Sequence, residues 1–235
     1  NMFSAIKKWL DKKKHLNRIY FIDNPYPYGH KIDEFVWSGR LQKDKGLFFD
    51  FHLETVDYYA EDNSEPDYDQ GSSDWDSKIV WSNYHSCTMS STKWDGTGIN
   101  VADKENQLNF NELLNKKLIV DRMSHFDEFS GKPLAFNMYL LGHDACANHE
   151  ISFFKQHDAA TFDIEWNGKI ALTYAADFEF KYSFKSKIGE VTFSGIHLDK
   201  TLSQQANKEL LAACVSNHEA FDLIDNTFQL KRQQN

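Results

Sequence analysis

The sequence predicts an α+β protein built mainly of antiparallel β-sheet, with an N-terminal helix and a C-terminal helix packed on the sheet. Three observations carry that expectation. Aromatic residues make up 15% of the chain, with 19 Phe, 10 Tyr and 6 Trp, a loading that suits the pleated, half-buried surface of strands. From Arg18 onward the apolar period is two over most segments rather than the 3.6 of a helix. Turn-forming pairs such as Asn24-Pro25 and Lys45-Gly46 bound these runs.

Residues 1–16 read as a basic amphipathic helix. Phe3, Ile6, Trp9, Leu10 and Leu16 fall near helical spacing, with Lys7, Lys8, Lys12, Lys13 and Lys14 largely elsewhere. Such a helix suits an anionic surface, but the rest of the chain is acidic and opposes polyanion binding. Docking on the sheet with its lysines outward is the favoured reading, and contact of those lysines with the acidic segment of the same chain is a third.

The first strand-rich half spans 17–132, with strands expected at 18–22, 35–41, 47–56 and 78–89 and a helix at 109–117. A less regular connector, 120–132, leads to Pro133. The second half, 133–235, repeats the theme with strands at 135–141, 150–155, 161–166, 170–174, 177–185 and 190–198. Asn167-Gly168 tolerates positive φ and predicts a type I′ hairpin turn. Along 177–185, Phe178, Phe180, Tyr182 and Phe184 share one face, as in a half-buried antiparallel strand. Residues 203–223 place Leu210, Leu211, Cys214, Val215 and Phe221 at helical spacing behind Ser203, a fitting N-cap.

The halves also resemble each other. Residues 37–53 align without gaps on 166–182, matching Trp37 to Trp166, Gly39 to Gly168, Phe49 to Phe178 and Phe51 to Phe180. Two readings follow: a duplicated unit of about four strands and a helix, or convergence of two hairpins on the same aromatic alternation. Either is compatible with one compact domain.

Charge is the most local feature. Of a formal net charge of −9, the segment 54–77 holds nine carboxylates (Glu54, Asp57, Glu61, Asp62, Glu65, Asp67, Asp69, Asp74, Asp76) and no Lys or Arg. Tyr58, Tyr59, Tyr68 and Trp75 are interleaved with them. The bland reading of such a run is a solvated acidic loop. The functional one is a docking face that offers charge and flat aromatic area to a basic protein partner. For that role Glu65, Asp67, Tyr68, Asp69, Asp74, Trp75 and Asp76 are the candidates. The expected activity is non-catalytic, occlusion of a basic surface aided by electrostatic steering, as in an inhibitor or immunity-type protein.

Other chemistry has less support. His143, Asp144, Cys146 and His149 are competent ligands for a divalent transition metal, and a metal-dependent hydrolase using His143, Asp144 and His149 is the runner-up. Their spacing matches no established motif, and packed or ordinary loop residues are the simpler reading. Glu65, Asp67, Asp69 and Asp76 mimic an EF-hand, but Gln70 occupies the position that needs glycine. A third class is a small-molecule or glycan-binding module using Trp75, Trp81 and Trp94. There is no Gly-X-Ser-X-Gly elbow, no Cys-X-X-Cys pair and no phosphate loop, so no cofactor is expected beyond a divalent metal. Neither a nucleic-acid partner nor a membrane span is expected. Three widely spaced cysteines and the lack of an export leader point to the cytoplasm of a bacterial-type cell.

Overall fold

The computed structural model describes residues 16–61, 71–114, 116–124 and 128–231. The expected N-terminal helix lies outside them, as does the acidic stretch 62–70. Within them the chain is mostly antiparallel sheet. Twelve strands form one sheet: β1 (Arg18–Phe21), β2 (His30–Gln42), β3 (Gly46–Thr55), β4 (Thr88–Ser90), β5 (Ile99–Ala102), β6 (Lys117–Val120), β7 (Asn137–Tyr139), β8 (His143–Gln156), β9 (Thr161–Ala171), β10 (Tyr182–His197), β11 (Phe221–Ile224) and β12 (Thr227–Leu230). Two helices accompany them, α1 (Lys78–Ser82) and α2 (Gln204–Cys214).

The sheet closes on itself. Pairing runs β2-β3-β4-β7-β8-β9-β10, and β10 then returns to β1 antiparallel and to β2 parallel. This closed barrel leaves its longest strands without a free edge, which removes the hazard of edge-to-edge association there. Inward residues alternate along each wall. After a bulge between Ile32 and Glu34, Trp37 and Leu41 point in, and Glu34, Val36 and Arg40 stay at or near the surface.

The interior is filled by rings. Trp37 packs against Phe51 in parallel planes at 6.2 Å and edge-on to Phe49 at 5.3 Å, and touches Phe153, Phe162 and Phe193. Trp166 meets Phe136 at 4.6 Å and Phe51 at 5.9 Å. Burying one such side chain contributes on the order of 1.5–3 kcal/mol, so the high aromatic content is spent on the core. Residues from both halves share that core.

One end of the barrel is stoppered by Phe110, which contacts Phe49, Phe193 and Phe221 at 5.8, 5.1 and 4.9 Å. Helix α2 packs over β2 and β3 at this end, burying Leu210, Leu211 and Cys214. Ser203 caps it as expected, its hydroxyl accepting from the Ala206 N–H.

Several elements differ from the sequence reading. The expected strand at 78–89 is the short helix α1 followed by β4, because Trp81 turns inward at 0% exposure. The expected helix at 109–117 is a 3-10 turn at Phe110–Glu112, capped by the Asn109 side chain, and then β6. Residues 161–166 and 170–174 are not two strands joined at Asn167-Gly168, since β9 runs straight through both residues. A Cβ on Gly168 would lie 2.6 Å from the Phe184 ring and 3.0 Å from His149 Nδ1, so the glycine serves close packing rather than a turn. Phe178 is 42% exposed and the strand begins only at Tyr182. The segment 203–223 ends its helix at Cys214 and continues into β11. The gapless alignment of the halves is not matched in register, for Trp37 faces Phe51 while Trp166 faces Ser186.

Candidate functional site

The barrel end opposite Phe110 carries the cavity with the most ring-rich walls. Its volume is about 350 Å³, and its lining includes Arg18, Tyr26, His30, Tyr58, Glu61 and Lys78, with Tyr28 and prolines 25 and 27 at the rim. Strand β1 supplies Arg18, the turn into β2 supplies Tyr26 to His30, and the chain leaving β3 supplies Tyr58 and Glu61. The first described part of the acidic segment is therefore a wall of this mouth.

His30 is the floor. Its ring lies 4.9 Å from Tyr26 and from Tyr58, 5.6 Å from Phe21, and parallel to Trp81 at 5.9 Å. Burial, helped by the Arg18 charge, lowers its pKa to about 3, so the imidazole is neutral at physiological pH. Asn24 Nδ2 lies 3.3 Å from its Nε2. Arg18 is held by the Tyr28 and Gly29 carbonyls and by both oxygens of Glu61, one of them at 2.5 Å. The Arg18 guanidinium in turn holds the Glu61 carboxyl below its usual range. The Tyr58 hydroxyl donates to the Leu140 carbonyl at 2.9 Å, and burial pushes its pKa far up. Tyr28 stands 83% exposed at the rim.

The acidic segment expected to form a docking face is described only in part. Glu65, Asp67, Tyr68 and Asp69 lie outside the described residues. Asp74 is exposed, and Asp76 is held at a pKa of about 2 by hydrogen bonds from Ser72 and Ser73. Trp75 does not offer its ring to a partner. It is 3% exposed, stacks on Tyr182 at 4.2 Å, meets Trp81 edge-on at 5.5 Å and donates its N–H to the Ile22 carbonyl. Of the three tryptophans named as ring platforms, only Trp94 is open, at 45% exposure.

The residues expected to ligate a metal on 143–149 belong to β8, not to a loop, and a bulge between Ala147 and Glu150 shifts the pleat between Cys146 and His149. His143 is exposed. Asp144 spends its carboxylate on the Leu141 and Tyr174 N–H groups, and burial raises its pKa. Cys146 and His149 face the interior at 0% exposure. Burial pushes the Cys146 thiol well up and lowers His149 to about 3. These four are not brought together, and the hydrolase reading loses its site.

One histidine dyad invisible in the sequence does assemble. His157 Nε2 lies 2.6 Å from Asp163 Oδ1, an oxygen that also accepts the Glu190 N–H at 2.8 Å. His157 borders a groove of about 760 Å³ with Thr161, Thr192 and Ser194. Thr161 and Thr192 bond each other at 3.0 Å, and Asp163 ties the β8–β9 turn to the bulge in β10, a structural use of the dyad.

The chain matches no family model, no curated protein and no solved structure.

Proposed function

We propose that the protein binds a small molecule in the mouth of its barrel. The observation that carries this reading is the cavity itself: about 350 Å³, walled by Tyr26, Tyr58 and His30, with charged Arg18, Glu61 and Lys78 converging on it. Barrel mouths that combine apolar walls with a few fixed polar groups are habitual ligand sites, and the volume is at the small end of the usual range of about 300–1,000 Å³. It suits a compound of one or two flat rings. Rings in the wall offer apolar faces, while Asp57, the lining carboxylate not paired with Arg18, favours a ligand carrying hydroxyl or cationic substituents.

Tryptophan fluorescence tests this, because Trp81 lies directly beneath His30. Titration with a panel of one- and two-ring phenols, amines and pyranosides is expected to give saturable quenching for at least one class. Tyr28→Ala removes an exposed rim ring without touching the core and is expected to weaken that binding at least about fivefold, the scale of a stacking contact of about 1 kcal/mol. Absence of saturable quenching across the panel would count against the reading.

A second reading keeps the acidic segment as a docking face for a basic protein. It is favoured by Asp74 and Asp76 standing on a base anchored by the buried Trp75. Binding by this face would weaken steeply with salt. Neutralising Glu65, Asp67, Asp69, Asp74 and Asp76 together would abolish it with little change in stability.

A further inference from the structure

We propose that the outer face of the β2–β3 hairpin is a binding site for one divalent first-row transition cation, with Glu34, His52 and Glu54 as its ligands. This site is distinct from the barrel mouth and does not depend on the reading given for it. Register builds it: Glu34 faces Glu54 directly across the two strands, and His52 lies two residues along β3, on the same outer face.

The separations fit a metal. His52 Nε2 lies 3.1 Å from a Glu54 carboxylate oxygen and 3.8 Å from one of Glu34, and the three ligand atoms all fall within 4.8 Å of one another. Bonds of about 2.0–2.1 Å in tetrahedral geometry require ligand atoms roughly 3.3–3.4 Å apart. Small side-chain rotations of the exposed Glu34 would supply that spacing. One imidazole with two carboxylates favours zinc, manganese or iron(II) over calcium or magnesium, which take all-oxygen shells. Three protein ligands leave a fourth position for water.

Electrostatics also calls for a cation here. Two carboxylates directly opposite on paired strands repel each other. Lys93 Nζ offsets part of this, at 2.5 Å from Glu54 Oε1. His52 is 8% exposed and its Nδ1 has no hydrogen-bond partner among the described residues, so the ring turns its Nε2 toward the two carboxylates. Lys93 is half exposed and free to swing aside, so the ammonium and the metal compete for Glu54.

The test uses the full chain, stripped of metal with a chelator and titrated with cobalt(II) by visible absorption and with zinc(II) by calorimetry. One equivalent of each is expected. Glu34→Gln and His52→Gln should each weaken binding at least about tenfold, and Lys93→Ala should tighten it by removing the competitor. Should His52→Gln fail to fold, Glu34→Gln, on an exposed carboxylate, decides alone. Equal affinity in wild type and Glu34→Gln, no tightening in Lys93→Ala, or no cobalt(II) ligand-field band at millimolar metal would overturn the proposal.

Discussion

His149 is fully enclosed in the barrel, its Nδ1 accepting from Trp166 Nε1 at 3.1 Å and its ring edge-on to Phe136 at 4.8 Å. Burial lowers its pKa to about 3, and the same holds for His30 in the mouth. The sign follows from linkage: both rings are neutral when folded, while the unfolded chain takes up protons below about pH 6.5. Stability is therefore full above pH 6.5 and falls toward pH 3, by about 1.4 kcal/mol per pH unit for each ring. The buried carboxyls of Asp50 and Asp144 and the half-buried one of Asp121, raised chiefly by desolvation, act with the opposite sign. His149→Gln leaves them unchanged and still offers Trp166 an acceptor. Urea midpoints of the two proteins between pH 6 and 5 are expected to diverge by about 1.4 kcal/mol, with the variant less acid-sensitive. Parallel curves would show that His149 titrates normally. None of this is legible in the sequence, where His149 looks like a polar loop residue beside three other metal ligands. A regular pleat would place it on the face of exposed His143, and only the bulge between Ala147 and Glu150 turns it inward.

At the scale of elements, two corrections share one cause. Asn167-Gly168 has the composition of a hairpin turn, and the pair at 166–168 resembles the pair at 37–39, yet β9 continues for 11 residues. Local preference for a turn is overridden because Phe184 of β10 needs the space where a Cβ of residue 168 would stand. Gly168→Ala is accordingly expected to destabilise by about 1–3 kcal/mol, the usual cost of overpacking, and guanidinium unfolding measures it. A harmless Gly168→Ala would mean that Phe184 has room to move. Trp75 in the acidic segment tells the same story. It sits between Asp74 and Asp76, so composition assigns it to the surface, while the fold uses it together with Trp81 to close the barrel beside Phe21 and His30. Trp75→Ala should cost about 3–5 kcal/mol, but Asp74→Asn no more than about 0.5 kcal/mol. Strands set by uninterrupted alternation, such as β1 and β3, were readable in advance, as was the Ser203 cap of α2 but not the helix's length. Positions that answer to a ring on another element, as Gly168 does to Phe184 and Trp75 to Tyr182, were not.

On the scale of the whole molecule, closure of the ring decides how the protein unfolds. Pro133 divides the sequence into two strand-rich halves, but β10 of the second half pairs with β1 and β2 of the first, with Phe193 opposite Trp37 and Phe184 opposite Phe21. Opening any seam exposes Trp37, Phe51 and Trp166 together, since these rings contact one another across the axis. Neither half retains a core of its own, so the halves cannot melt separately. One cooperative transition is expected, with tryptophan fluorescence and far-ultraviolet circular dichroism coincident and calorimetric and van't Hoff enthalpies equal. Refolding should be slow, on the scale of milliseconds to seconds, because the closing contacts join residues far apart in the chain. Two separated transitions, or independent folding of a fragment ending near residue 132, would show that the halves are autonomous.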